Sequence, residues 1–311
     1  MIAYLLPMLG VCLLLTVLYL WMVMPRMWNR PGKEPFMGVL YAHRGLFDHS
    51  AGIPENSLAA FRRAVDAGYG IELDVQLTAD GVPVVFHDGT LARMAREENT
   101  KGKGSVAESL TEGASAPGLS QTSQVAGRVM DYTLMELHRF HLLDSEEKIP
   151  TFEEVLNLVD GRVPLIVELK AETLDFSLCE KVDALLREYG KKGIYCIESF
   201  QPLFVCWFRF RHPEVFRGQL STAFRDPASE VGARIFHFFV KHLLCNFLTR
   251  PDFIAYNYRC RNNLSRRLCR TWFHATSVAW TIRSEKDLED NRAFFDLFIF
   301  DSFLPKGGPH G

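Results

Sequence analysis

Two carboxylates stand two residues apart in the run Gly70-Ile71-Glu72-Leu73-Asp74-Val75. On a strand, that spacing turns both side chains to one face. In a parallel sheet covered on both sides, unpaired buried carboxylates are costly, so they need a positive partner. A hard divalent cation with oxygen ligands meets that need. A salt-bridged or exposed pair at a strand end is the alternative these residues leave open. Leu165-Ile166-Val167-Glu168-Leu169-Lys170 repeats the pattern. Glu168 can supply a third carboxylate to the same cation, and Lys170, on the same face, an ammonium for a phosphate oxygen. An ordinary Glu–Lys pair is the other reading. His43-Arg44-Gly45 closes an apolar run. Arginine grips phosphate through a planar fork, and glycine lets the backbone approach a ligand. His87-Asp88 closes another such run. Two histidines beside a metal-bound phosphate are what general acid–base transfer requires, although a lone histidine is more often structural. Pro54-Glu55-Asn56-Ser57 precedes a helical run. There Ser57 or Asn56 serves as an N-cap, or Asn56 orients a catalytic group.

These residues need elements to bring them together. Strand-like apolar runs fall at 37–42, 70–75, 82–87, 164–169, 194–199, 216–220, 253–257, 278–282 and 297–300. Helical patterns fall between most of them, at 57–67, 151–159, 176–189, 235–248 and 285–294. Such alternation implies a parallel sheet with crossover helices. Only a short turn at Thr78-Ala79-Asp80-Gly81 separates the second and third runs. It is too short for a parallel crossover and reads as a hairpin. Eight strands remain, which suits an α/β fold of the (β/α)8 TIM-barrel type, whose active sites form at the C-terminal strand ends. Residues 97–127 are rich in Gly, Ser, Thr, Gln and Glu without an apolar period, which reads as a flexible insertion after the hairpin.

The N-terminal stretch, residues 2–24, carries no charge. As a helix it would rise about 34 Å, enough to cross a bilayer core. Tyr19, Trp21 and Trp28 sit where an aromatic belt would lie. The apolar stretch is too long for a cleaved signal peptide, no Lys or Arg precedes it, and no small-residue cleavage site follows. A retained single-pass anchor in the cell membrane is therefore expected. Arg26, Arg30 and Lys33 follow it, which places the bulk of the chain on the cytoplasmic side by the positive-inside rule. The expected layout is an anchor over 1–25, a linker over 26–36, a barrel over 37–305 with an insertion over 88–148, and a tail over 306–311. A formal net charge of −2 offers nothing to nucleic acid. The seven cysteines are scattered without a C-x-x-C pair, which argues against a disulfide framework and a structural zinc site. No G-x-x-x-x-G-K-[ST] occurs, which argues against a P-loop enzyme.

Taken in order, Ala42-His43-Arg44-Gly45, Pro54-Glu55-Asn56-Ser57, Glu72-Leu73-Asp74-Val75, Thr78-Ala79-Asp80-Gly81 and Val84-Val85-Phe86-His87-Asp88 resemble the bacterial glycerophosphodiester phosphodiesterase family. The resemblance continues at Ile149-Pro150-Thr151-Phe152-Glu153-Glu154-Val155, at Glu168-Leu169-Lys170 and at Ala279-Trp280-Thr281-Ile282. It implies a TIM barrel with a small insertion and a divalent cation, Mg²⁺ or Ca²⁺, on Glu72, Asp74 and Glu168. It implies His43 and His87 as the acid–base pair, Arg44 and Lys170 on the phosphate, and Trp280 beside the substrate. A barrel-core aromatic is the other reading of Trp280. Ser57 stands where the family more usually has threonine, and Phe300-Asp301-Ser302-Phe303 departs from the family's Thr-Asp-x-Pro.

The expected activity is hydrolysis of a glycerophosphodiester to sn-glycerol 3-phosphate and an alcohol. With an anchor present, a lysophospholipid or a glycerol-phosphate polymer is the alternative substrate. A non-catalytic membrane protein that binds a phosphorylated ligand is the rival of another class, and a missing histidine or carboxylate would have favoured it.

Overall fold

The computed structural model describes residues 2–98, 122–171, 173–224 and 230–310. Its strands are β1 (Leu40–His43), β2 (Gly70–Leu77), β3 (Pro83–Val85), β4 (Ala95–Glu98), β5 (Thr122–Gln124), β6 (His141–Leu142), β7 (Leu165–Leu169), β8 (Tyr195–Ser199), β9 (Arg217–Ser221), β10 (Phe253–Asn257), β11 (Thr276–Ile282) and β12 (Leu297–Phe300). Its α-helices are α1 (Ile2–Val23), α2 (Leu58–Asp66), α3 (Leu134–Leu137), α4 (Phe152–Val159), α5 (Ser177–Tyr189), α6 (Pro202–Arg211), α7 (Val231–Lys241), α8 (Asn246–Thr249), α9 (Leu264–Thr271) and α10 (Glu285–Asn291).

The strand order β1-β12-β11-β10-β9-β8-β7-β2 closes through a β1–β2 pairing, so eight parallel strands form a barrel. The chain is thus a (β/α)8 TIM barrel with helices in the crossovers. β3 adds antiparallel to β2, as the short turn required. Alternate residues separate two cores. One set, with Ile166, Phe216, Phe253 and Val278, fills the barrel. The other, with Leu73, Val167, Ile254 and Phe300, packs under the helices. Gly70 lets the Tyr41 ring lie against it, since a Cβ there would stand 2.6 Å from that ring. The Tyr41 hydroxyl donates to the Phe36 carbonyl, and Phe36 stacks on Phe216 at 5.1 Å to close the base.

Local signals set the helix starts. Ser57 accepts from the Ala60 amide ahead of α2. Thr151 and Glu154 form a reciprocal capping box ahead of α4. The expected helix over 235–248 is instead two, α7 and α8, because Leu243 takes a left-handed backbone (φ 54°) between them. Helices α6 and α9 fall outside the expected patterns. The α6 sequence is crowded with aromatics, which favour strands, and α9 carries Arg266, Arg267 and Arg270 with few apolar positions. Most of the expected flexible segment over 97–127 lies outside the described residues. Its described edges pair as β4 and β5, with β6 on the far side of β4, over a small separate core that includes Leu91, Val129 and Phe140.

Segment 25–36 is tied to the barrel base. The Arg26 amide donates to the Pro251 carbonyl, and its guanidinium lies 3.5 Å from Asp252. Arg30 donates to the Phe273 and His274 carbonyls, 2.7 Å each.

Candidate active site

The register of three neighbouring strands assembles the carboxylates. His43 on β1 lies beside Glu72 on β2, and Asp74 beside Glu168 on β7. Glu72, Asp74 and Glu168 are buried, and one ligand oxygen of each lies within 4.8 Å of the others. Lys170 follows the end of β7. Its Nζ stands 2.8 Å from Glu168 Oε1 and 2.9 Å from Asp74 Oδ1. Asn56 donates through Nδ2 to Asp74 Oδ2 at 3.0 Å, and Arg44 Nε lies 3.5 Å from the same oxygen.

The turn after β1 aims Arg44. Arg44 and Asn56 both take positive φ, 58° and 55°, and Asn56 donates its amide to the Arg44 carbonyl. Gly45 has φ 81°, and a Cβ on it would meet the Ala60 carbonyl carbon at 2.8 Å. Only glycine fits where the chain passes so close to α2. The Arg44 guanidinium reaches Glu55 at 2.6 Å.

Each candidate histidine is held through Nδ1 by a carboxylate. His43 Nδ1 lies 3.0 Å from Asp301 Oδ2, and its Nε2 is 3.8 Å from Glu72. Asp301, just past β12, also accepts from Arg283 at 2.9 Å. His87 Nδ1 lies 2.8 Å from Asp88 Oδ1. Gln76 steadies that corner by donating to the Phe86 and Asp88 carbonyls, 2.9 Å each. Arg93 then donates to both Asp88 oxygens, at 2.6 and 2.9 Å, and to Glu55 at 2.6 Å. A chain of hydrogen bonds therefore runs His87–Asp88–Arg93–Glu55–Arg44, with ion pairs from Asp88 onward.

The electrostatics are uneven. Burial opposes charge on Asp74, yet Lys170, His87, Arg44 and His43 hold it well below the usual carboxylate range. Burial also works against the Lys170 ammonium, and Asp74 with Glu168 more than restores it. On Glu72 the opposing charge of Arg44 is outweighed. Burial pushes it well up, and the charges of Asp74, Glu168 and Glu198 push further. Its Oε2 has no hydrogen-bond partner. Three carboxylates with an unsatisfied oxygen among them suit a hard divalent cation. Burial lowers His43, with the Asp301 bond opposing the fall.

The structure thus gathers His43, Arg44, Asn56, Glu72, Asp74, Glu168 and Lys170 into one contact group. His87 joins through the hairpin, where the Phe86 amide donates to the Asp74 carbonyl. Trp280 stands on β11, partly buried against the barrel interior, and its ring meets Phe200 edge-on at 5.7 Å. Several members of the site were not singled out as functional from the sequence: Asp301, Arg93, Glu55 and Glu198. Asp301 ends a strand run and Glu198 sits inside one, the same signal that marked Glu72 and Glu168. Glu198 lies beside Glu168 in register, is buried, and has an unpartnered Oε2. Arg93 carried no such signal.

Residues 43–255 match the Glycerophosphoryl diester phosphodiesterase family. The chain is similar to a glycerophosphodiester phosphodiesterase of Caldanaerobacter subterraneus subsp. tengcongensis, 34% identical over 52% of this chain and 58% of that protein. It is also similar to one of Bacillus altitudinis, 33% identical over 53% of this chain and 58% of that protein. The chain therefore spans less than two thirds of the length of these curated relatives. Among solved structures, an Oleispira antarctica phosphodiesterase in complex with the product sn-glycerol-3-phosphate shares the fold, with a TM-score of 0.61 and 22% identity over 88% of this chain and 95% of that one. A glycerophosphodiester phosphodiesterase of Thermotoga maritima shares it at a TM-score of 0.53 and 24% identity, over 85% of this chain and 94% of that one.

Proposed function

The chain belongs to the glycerophosphoryl diester phosphodiesterase family, and from that premise we propose that it is a phosphoric diester hydrolase. It cleaves a glycerophosphodiester to sn-glycerol 3-phosphate and an alcohol. One observation carries this reading. Three buried carboxylates meet Lys170 and Arg44 at a single point, flanked by two histidines that are each bonded to a carboxylate.

Glu72, Asp74 and Glu168 would hold a divalent cation, Mg²⁺ or Ca²⁺, which would supply positive charge to the phosphodiester. Arg44 and Lys170 bind the same phosphate and stabilise the charge that builds on it. Asn56 fixes the Asp74 carboxylate. Asp301 holds His43 through Nδ1, so Nε2 is the atom that takes the proton from the nucleophile. Asp88 holds His87 in the same way, and its Nε2 delivers a proton to the departing alcohol. The nucleophile is water or the glycerol 2-hydroxyl, the latter giving a cyclic phosphate first. Trp280 packs beside the glycerol or the leaving alcohol. His43→Ala and His87→Ala should each abolish turnover while the thermal melt stays that of the parent. Undiminished diesterase activity in either variant contradicts the assignment.

A second reading of the substrate comes from α1. The window Leu6–Val23 has a mean hydropathy of 2.3 and is almost wholly exposed. An anchor within 1–25 whose residues from Tyr19 on pack against the barrel, followed by segment 26–36 and a barrel over 37–305 with its insertion over 88–148, would put the site beside lipid, on the cytoplasmic side of the cell membrane. A lysophospholipid or a glycerol-phosphate polymer then becomes a candidate substrate. Turnover of glycerophosphocholine and lysophosphatidylcholine by the full chain in vesicles separates the soluble from the lipid substrate.

A further inference from the structure

The contacts of α1 fix which end of the barrel it serves. Helix α9 follows β10, so it descends from the C-terminal rim of the barrel to its base. Tyr19 Oη lies 2.8 Å from Ser265 Oγ, and Cys269 Sγ donates to the Val23 carbonyl at 3.3 Å. Four residues separate each pair on both helices, so α1 and α9 run side by side in the same direction. Val23 and Arg26 are therefore the basal end, where Asn246 caps the Val23 carbonyl at 2.7 Å and the Arg26 amide meets Pro251. Residues ahead of Tyr19 project past the rim that carries the candidate active site. Residues 2–18 rise about 26 Å, close to the shortest helix that crosses a bilayer core.

The rim beside α1 carries a surface that suits this position. Ser221, the last residue of β9, donates to the Val240 carbonyl at 2.8 Å, and Asn263, the N-cap of α9, donates to the Lys241 carbonyl at 3.2 Å. Helix α7 thus ends at rim level. Val231, Ile235 and Phe238 recur at helical spacing, and are 68%, 55% and 54% exposed. On its other side, His237 stacks on Phe224 at 4.2 Å, Phe224 meets Phe200 at 6.0 Å, and Phe200 meets Trp280. Between Glu230 and Asp252 there is no carboxylate, whereas Arg234 and Lys241 supply positive charge, and Arg259 follows in the next rim loop.

We infer that the catalytic rim rests on an anionic bilayer surface, with Val231, Ile235 and Phe238 of α7 entering the boundary between headgroups and acyl chains. The site then faces the lipid and takes its phosphodiester from the bilayer surface. The inference rests on α1 being a membrane span. The base of the barrel, where Trp272 is 64% exposed, faces away into water.

Nitroxide depth measurement on the full chain tests this. Cys12, Cys206 and Cys260 are replaced by serine, since the other four thiols are buried. Leu14→Cys, Phe238→Cys and Trp272→Cys are labelled one at a time and reconstituted in phosphatidylcholine–phosphatidylglycerol vesicles. Collision with oxygen and with an aqueous nickel chelate reads the depth. The Leu14 label should lie in the hydrocarbon, the Phe238 label about 5–10 Å below the headgroup surface, and the Trp272 label in water. An aqueous Phe238 label with Leu14 in lipid overturns the inference and leaves the span standing. A lipid-buried Trp272 label overturns it likewise. Dipolar broadening at position 238 shows a second copy covering α7, which also overturns it. An aqueous Leu14 label removes both the span and the inference. In addition, the double variant Ile235→Asp/Phe238→Asp should move its position-231 label (Val231→Cys) out of the lipid while keeping the parent's thermal melt. A label that stays in lipid contradicts the role given to α7.

Discussion

Asp301→Asn probes the proton-transfer role of His43 without touching a proposed cation ligand. The carboxylate holds His43 Nδ1 at 3.0 Å and accepts from Arg283. An asparagine keeps the shape and removes the charge. A hydrogen bond to a charged group contributes about 1.5–3 kcal/mol, which at about 1.36 kcal/mol per decade is a loss of roughly 10- to 150-fold in kcat. The pH profile carries a second signature. Burial lowers the His43 pKa and Asp301 opposes that fall, so removing Asp301 should move the acidic limb of kcat/KM to lower pH. Stability gives a third. Burial would raise the Asp301 pKa, but His43, Arg283 and Ser302 hold it well below the usual range. A depressed folded pKa contributes stability that is present above the unfolded value of about 3.9 and is lost as pH falls through the folded value. The variant should therefore lose less stability than the parent between neutral and strongly acid pH, read by thermal melts across that range. Glycerophosphocholine turnover in steady state provides the kinetic readout. An unchanged plateau together with an unmoved acidic limb would refute the role given to the Asp301–His43 pair.

Three further outcomes are expected. Arg93→Ala should cut kcat by about tenfold, the worth of one charge-assisted contact, because it breaks the link from Asp88 to Glu55; Arg93→Lys should recover part of the loss, and equal activity in both variants would dismiss the ion-pair chain. Gly45→Ala should destabilise the fold by about 1–3 kcal/mol, since the new Cβ meets the Ala60 backbone at 2.8 Å and the backbone is left-handed; chemical denaturation measures this directly. Adding Mg²⁺ or Ca²⁺ to chelator-treated protein at 100 times Kd should raise stability by about 2.7 kcal/mol, and Glu72→Gln should abolish that increment.

The candidate site was legible where chemistry coincides with period. Glu72 and Asp74, then Glu168 and Lys170, lie two apart on strands, and a period of two cannot place them anywhere but on one face. His43 and Arg44 were legible because they end a strand run. Asp301 was hidden by distance, since only barrel closure through the β1–β12 pairing brings it to His43. Arg93 was hidden because a short helical turn in the insertion carries it. The boundary between α7 and α8 turned on one left-handed leucine, for which the apolar pattern gives no sign. Helix α9 escaped because two of its three arginines are spent on carbonyls of neighbouring loops rather than on solvent: Arg266 donates to Phe294 and Arg270 to Ala293. The apolar character of α1 was plain, but its direction along α9 depends on side-chain contacts about 246 residues away in sequence.

Three carboxylates, two histidines and Lys170 together are proposed to make a cation-dependent diesterase. Phosphorus NMR on the full chain with glycerophosphocholine tests it most directly. With Mg²⁺ or Ca²⁺ the diester resonance should give way to that of sn-glycerol 3-phosphate, and with chelator, or in Glu168→Gln, it should persist. Phosphocholine as the product, or no conversion with any divalent cation, would contradict the account.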